Sequence, residues 1–260
     1  MAWFHSARAR DLLDRFPIVG RLTEKPRTQP IIAEVGEGGA LCNFTVYDPA
    51  KKHVVYAVGR DRRVPLHVDE IHEEFRAWVK GDDTFPCIAG KTAVIGYSSY
   101  GLGVYDGPIG DQANTEALLH DLRTFIRYQS AEWAAGNRFT TFIAVFPESI
   151  GEDKWDDFQK KLRAQLVALQ QADNTSKDGM SDLKRDFLVV GLHPAADRKA
   201  HRFAYPALVF NSKDQFKYLE TTGQMGPIQN AVRRRDKQIS GGELVNPLLP
   251  QVKLSVPNGG

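Results

Sequence analysis

Phe187-Leu188-Val189-Val190-Gly191-Leu192-His193-Pro194 and, thirteen residues past His193, Pro206-Ala207-Leu208-Val209-Phe210-Asn211 are the stretches that decide the fold. Each holds a short apolar run, bounded by turn residues and rich in β-branched or aromatic side chains, which reads as a buried strand. Between them lies a loop with two histidines (His193, His201), two arginines (Arg198, Arg202), Lys199 and Asp197. Loops held between rigid strands are where binding groups concentrate. Imidazoles suit metals and guanidinium forks suit carboxylates or phosphates. The other reading of the same residues is a solvated basic turn.

Working outward, strand and helix patterns alternate. Thr140–Phe146 is a strand, and Gly151–Gln171 a helix with Trp155, Phe158, Leu162, Leu166 and Leu169 at helical spacing. A long helix opened by Asn114 carries Leu118, Leu122, Phe125, Ile126 and Trp133, with His120 on its opposite side and without a role. Asp69 is read as the N-cap of a helix whose stripe is Ile71, Phe75, Trp78 and Val79, which leaves His72 on the surface. A short strand is expected over Thr92–Ile95. The segment Gly96–Pro108, rich in glycine and tyrosine, is expected to be a flexible loop over a pocket, because it lacks the ending of a phosphate loop. Ser212-Lys213-Asp214-Gln215 is a capping pattern that opens a helix ending near Gly223, and a further helix spans Ile228–Asp236. Near the start, Ala40–Tyr47 and His53–Val58 form a hairpin around Asp48–Lys52. The pattern predicts an α+β (or α/β) fold, a mixed β-sheet with helices packed on it, plus an N-terminal β-hairpin extension over 1–65. The main domain is expected over 66–250 and a flexible tail over 251–260. Residues 171–185 are polar and aperiodic and are expected to form a mobile loop.

The bulk numbers narrow the function. A formal charge of +2 over 260 residues argues against a general polyanion binder, and Arg233-Arg234-Arg235, followed by Asp236, reads as a solvated helix face. Two cysteines, Cys42 and Cys87, are too few for a disulfide framework and lack the paired spacing of a zinc site, so both are expected to be reduced thiols. Met1–Arg15 alternates arginine with aspartate and has no apolar core of a signal, and no window approaches a membrane span. A cytoplasmic protein without nucleic-acid or membrane partners is the expectation.

Cys87 is the more interesting thiol. Pro86 fixes the backbone before it, Ala89-Gly90 offers unhindered N–H groups after it, and Lys91 is near enough in sequence to favour the thiolate. A small buried hydrophobe is the plainer reading. Cys42, inside an alternating strand, is read as core. Pro194 holds His193 at a strand end, where it suits a metal ligand, a general base or a hydrogen-bonded structural imidazole. Arg198 and Arg202, four apart, either converge on one anion or pair with Asp197 for little gain.

Taken together, Phe85-Pro86-Cys87-Ile88-Ala89-Gly90, His193-Pro194, Arg198, Arg202-Phe203, Pro206–Asn211, Gln215-Phe216, Arg233–Asp236 and Asn246-Pro247-Leu248-Leu249 resemble the YqcI/YcgG family in content and order. The resemblance covers about residues 70–250; the first 65 residues stand outside it, and His201 stands where a more basic residue is expected. It implies a haem-dependent N-hydroxylase similar to those of cycloserine and guanitoxin biosynthesis. Such an enzyme binds haem b, uses dioxygen and an external electron donor (a protein or a reductant), and oxidises an amine or guanidino nitrogen of a small amino-acid-like substrate. It is compatible with a homodimer. The resemblance implies Cys87 as first choice for the haem iron, since a thiolate favours O–O cleavage, with His193 as the alternative. It implies Arg198, Arg202 and Asn211 as further cofactor-binding residues, the arginines on haem propionates or a substrate carboxylate. A haem- or small-ligand-binding sensor or carrier without turnover is the other class of reading.

Overall fold

The structure is a computed structural model that describes residues 42–56, 64–81, 85, 87–149, 154–174, 187–239 and 252–253. In chain order these form β1 (Thr45–Asp48), β2 (His53–Tyr56), α1 (Leu66–Lys80), α2 (Ile88–Lys91) running into a π-helical turn (Thr92–Gly96), and β3 (Tyr100–Val104). Then follow α3 (Gln112–Ala134), β4 (Thr141–Val145), α4 (Trp155–Asn174), β5 (Phe187–Leu192), β6 (Ala207–Ser212), α5 (Lys213–Thr221), α6 (Met225–Ile239) and a two-residue β7 (Val252–Lys253). The expectations for residues 1–41, 57–63, 82–84, 86, 150–153, 175–186, 240–251 and 254–260 fall outside the described residues, while Val252–Lys253 of the expected flexible tail pair with β5.

The strands form one mixed sheet in the order β2-β1-β3-β4-β6-β5-β7. β3 and β4 pair in parallel, joined by the crossover helix α3, because parallel neighbours cannot be linked by a tight turn. The other pairings are antiparallel. The predicted hairpin exists and lies at one edge of this sheet, with Thr45 and Val46 of β1 opposite Leu102 and Gly101 of β3. Its turn is closed by the Asp48 carboxylate, which accepts from the backbone N–H groups of Ala50 and Lys51.

Side-chain alternation divides the core into two layers. Phe142, Ala144 and Phe146 pack with α3 and α4, whereas Ile143 and Val145 pack with α1. Every residue of β3 and β4 is buried, which is why β4 reads as an unbroken rather than an alternating run. On the α3/α4 face the rings of Phe44, Phe125, Phe142, Phe187 and Phe210 interlock with centroids 5.4–6.4 Å apart. Each such buried ring contributes roughly 1.5–3 kcal/mol, so this cluster dominates the core.

Four local expectations are corrected. Gly96–Pro108 is not a flexible loop: its middle is β3. Glycine is required there by close approach, since a Cβ on Gly101 would lie 2.2 Å from the Phe44 ring and one on Gly103 2.8 Å from the Tyr105 hydroxyl. Thr92–Ile95 is a π-helical turn rather than a strand, with the Tyr97 N–H on the Thr92 carbonyl at 3.0 Å. A short apolar run has no period that separates the two. α1 starts at Leu66 after Pro65, and Asp69 instead accepts from the Val54 N–H. α3 is capped by Asp111, not Asn114, whose side-chain amide holds the Asp106 carbonyl at 2.7 Å. The Ser212 cap of α5 is as predicted, its hydroxyl accepting from the Asp214 N–H.

Candidate functional site

Cys87 immediately precedes α2. Its carbonyl accepts from the Lys91 N–H at 3.0 Å and its sulfur from the Gly90 N–H at 3.3 Å. The chain turns tightly enough there that a Cβ on Gly90 would sit 3.0 Å from the Phe85 ring and 3.6 Å from the Cys87 sulfur. Phe85 in turn lies edge-on to Trp78 of α1 at 4.9 Å, and Trp78 meets Phe203 at 5.3 Å. The sulfur is therefore placed beside an aromatic wall on the α1 face. Burial pushes the thiol up from its ordinary value, and the amides of Gly90 and Ala89 pull part of the way back. The Lys91 ammonium reaches the Gly81 carbonyl at 3.4 Å. Left alone, the group is a thiol. Only a cation at the sulfur would make it a thiolate.

The loop after β5 is tightly built. The His193 N–H donates to the His201 carbonyl, and the Ala195 N–H donates to His193 Nδ1, both at 3.0 Å. The His193 ring is buried against Phe158 at 4.9 Å and Trp155 at 6.3 Å, which puts it on the α3/α4 face. His201 is also buried beside Trp155, and desolvation with the nearby Arg198 lowers its pKa to about 4. Arg198 pairs with Asp236 of α6 at 2.5 Å, while its Nε is buried without a partner among the described residues. Arg202 does not converge with it: its Nε donates to the Ala196 carbonyl at 2.7 Å, within its own loop. Asn211, two residues after Val209, shares its face on the α1 side and holds the Leu188 carbonyl at 3.5 Å.

The five sequence candidates are thus not brought to one point. Cys87 and Asn211 share the α1 side of the sheet. Arg198 reaches α6, which packs on α2 through Ile228, Ala89 and Ala93. His193 is on the other side of the sheet, so it and Cys87 do not face one ion.

Two buried polar clusters escaped the sequence reading. His72 is fully buried, not on the surface: its ring bonds the Thr45 hydroxyl at 2.8 Å and the Tyr100 hydroxyl at 2.9 Å. Desolvation, helped by Arg76, lowers its pKa to about 3. The spacing of Val68, His72, Phe75 and Val79 repeats at four, three and four, so the stripe itself carried the signal. The second cluster lies where β1 meets α3. Asp121 is fully buried and accepts from the Tyr105 hydroxyl at 2.6 Å, the Asn43 N–H at 3.1 Å and the Cys42 thiol. His120, expected to stand aside, holds Nδ1 3.5 Å from the same carboxyl. Burial pushes Asp121 up and Tyr105 well above its ordinary value. An aspartate one residue before Leu122 and three after Leu118, within the apolar stripe, was the available clue.

The sequence profile of the YqcI/YcgG family matches residues 75–251. The chain belongs to that family. The matched span holds Cys87, the loop from His193 to Phe203 and α6, and leaves out β1, β2 and the start of α1. No curated protein and no solved structure matches the chain. Among the described residues, no helix is long and apolar enough to cross a membrane.

Proposed function

We propose that this YqcI/YcgG protein is a haem-dependent N-hydroxylase acting on an amine or guanidino nitrogen of a small amino-acid-like substrate, in the cytoplasm. The observation that carries the reading is the Cys87 sulfur, accepting the Gly90 N–H beside the rings of Phe85 and Trp78. An amide pointed at sulfur supports a metal-bound thiolate and tempers its electron donation, the arrangement that second-shell donors provide at metal centres. Haem b with a thiolate ligand, supplied with dioxygen and external electrons, provides the oxygen chemistry that N-hydroxylation needs.

The residues present fit such a group in part. Cys87 would hold the iron. Arg198 keeps one buried, partnerless Nε donor for a carboxylate, from haem or substrate. Phe85, Trp78 and Phe203 form a connected run of rings on the sulfur side. Arg202 is engaged by its own loop, and Asn211 by the Leu188 carbonyl, so neither is assigned a direct contact. His193 is not paired with Cys87, because the sheet separates them.

The test is the absorption spectrum of the purified, haem-reconstituted protein, oxidised, reduced, and reduced with carbon monoxide. A carbon monoxide complex with a red-shifted Soret band is expected, lost in Cys87→Ala and retained in His193→Ala. An imidazole-type spectrum would move the ligand to His193. Stoichiometric haem without turnover of any guanidino or amino substrate would make the protein a carrier or sensor, and absence of haem binding would sink the reading.

A further inference from the structure

We propose that Cys42, His120 and Asp121 form a zinc site where β1 meets α3, on the sheet face opposite Cys87. This does not depend on the haem reading. One donor atom from each of the three residues lies within 4.8 Å of the others. Zinc bonds of about 2.0 Å to nitrogen and oxygen and about 2.3 Å to sulfur put tetrahedral ligand atoms about 3.3–3.5 Å apart. His120 Nδ1 and Asp121 Oδ1 already stand at 3.5 Å. Small side-chain movements close the rest.

The orientation of the donors adds to the spacing. His120 Nδ1 is buried and already turned toward a carboxylate oxygen of Asp121 at 3.5 Å. The Nδ1–H tautomer donates into that gap, and an ion taken up there replaces the proton. The two carboxylate oxygens also divide their work. Oδ2 takes the Tyr105 hydroxyl at 2.6 Å, while Oδ1, held by the Asn43 N–H, is the one turned to His120. Tyr105 and Asn43 thus orient the ligand from behind, as outer-shell donors do at metal centres.

Donor type selects the ion. Sulfur with imidazole and one carboxylate suits zinc, whereas magnesium and calcium take oxygen. A thiolate and a carboxylate would also cancel the charge of a divalent ion, which makes its burial tolerable. The His120 side chain is 34% exposed, so an ion has an entry path and a fourth position open to water. A cysteine nucleophile is the rival use of these residues, but Cys42 is 2% exposed and out of reach of a substrate.

The experiment is a titration of the full-length protein, without haem, with buffered cobalt(II) and then zinc(II), read by the thiolate-to-cobalt charge-transfer band. One cobalt per chain, displaced by zinc, is expected. His120→Ala leaves the Tyr105 and Asn43 bonds to Asp121 intact, so it should fold, as circular dichroism would verify. It should weaken binding by more than about 100-fold, beyond the range of an outer-shell loss. Tyr105→Phe should weaken it by about 10-fold, and Cys87→Ala should change nothing. No thiolate band in the wild-type protein, a band that survives Cys42→Ala, or a band lost in Cys87→Ala would each overturn the assignment.

Discussion

The two cysteines lie on opposite faces of one sheet and are chemically unlike. Cys87 sits in a turn, with its sulfur receiving a backbone N–H from Gly90. Cys42 sits at the start of the β1 segment, and its thiol gives a hydrogen bond to the buried Asp121 carboxyl. One sulfur is an acceptor with no charge partner; the other is a donor inside a polar cluster. What a thiol can do is therefore set by the groups that the fold brings to it, and the residue type alone predicts neither role. The two helical faces differ in the same way. The α3/α4 side keeps a carboxyl in its core, and the α1 side keeps a neutral imidazole.

The comparison is broken most severely at Asp121. Asp121→Ala would leave the Tyr105 hydroxyl and the Asn43 N–H buried without their acceptor, at a cost on the order of 4 kcal/mol. Urea unfolding should show it as a lower midpoint at unchanged slope. A loss below about 1 kcal/mol would mean that the cluster is not structurally important.

On the α1 side the expected effect is smaller and depends on pH. An unfolded histidine takes up a proton as the pH falls through about 6.5. Folded His72 stays neutral down to about 3. In that window the unfolded state binds more protons, so stability falls as the pH falls, and nothing is gained above about 7. At pH 5 the difference amounts to about 2 kcal/mol for His72. His72→Phe would destabilise the protein at pH 7 by removing one partner each from Thr45, which keeps the Leu102 carbonyl, and Tyr100, which keeps Arg76, but it should flatten the decline from pH 7 to 5. Equal slopes for the two proteins would remove His72 as the cause. His201, held neutral to about 4, should contribute a similar decline that survives the substitution.

The smallest effect concerns the contact between the central loop and α6. The Arg198–Asp236 pair is mostly covered, at 16% and 14% exposure, and lies between a surface pair and a buried one in worth. A double-mutant cycle with Arg198→Ala and Asp236→Ala should give a coupling of about 1–2 kcal/mol. Zero coupling would make the loop independent of the helix.

Where one regular period or one turn device acts alone, the sequence was legible. The strands from Phe187 and Ala207, the helix from Trp155, the hairpin around Asp48 and the Ser212 cap all follow from local patterns. Gly101 misled because its reason is remote: the Phe44 ring, just before β1, fills the space, whereas Gly103 makes room for the nearby Tyr105. The π-helical turn at Thr92 misled because four apolar residues fit several periods. Of the candidate site, Cys87 with its following amides was readable in outline, although not the true position of Lys91.

By itself the sequence determined the family, the mixed sheet with packed helices, and the presence of a basic loop between two buried strands, because these rest on residue order and local periodicity. Only the tertiary structure decided that His193 and Cys87 are separated by the sheet, and that Cys42 and His120 meet a buried aspartate. Such placements depend on which strand lies beside which, and groups 78 residues apart, such as the Asn43 N–H and the Asp121 carboxylate, leave no mark on each other in the linear chain.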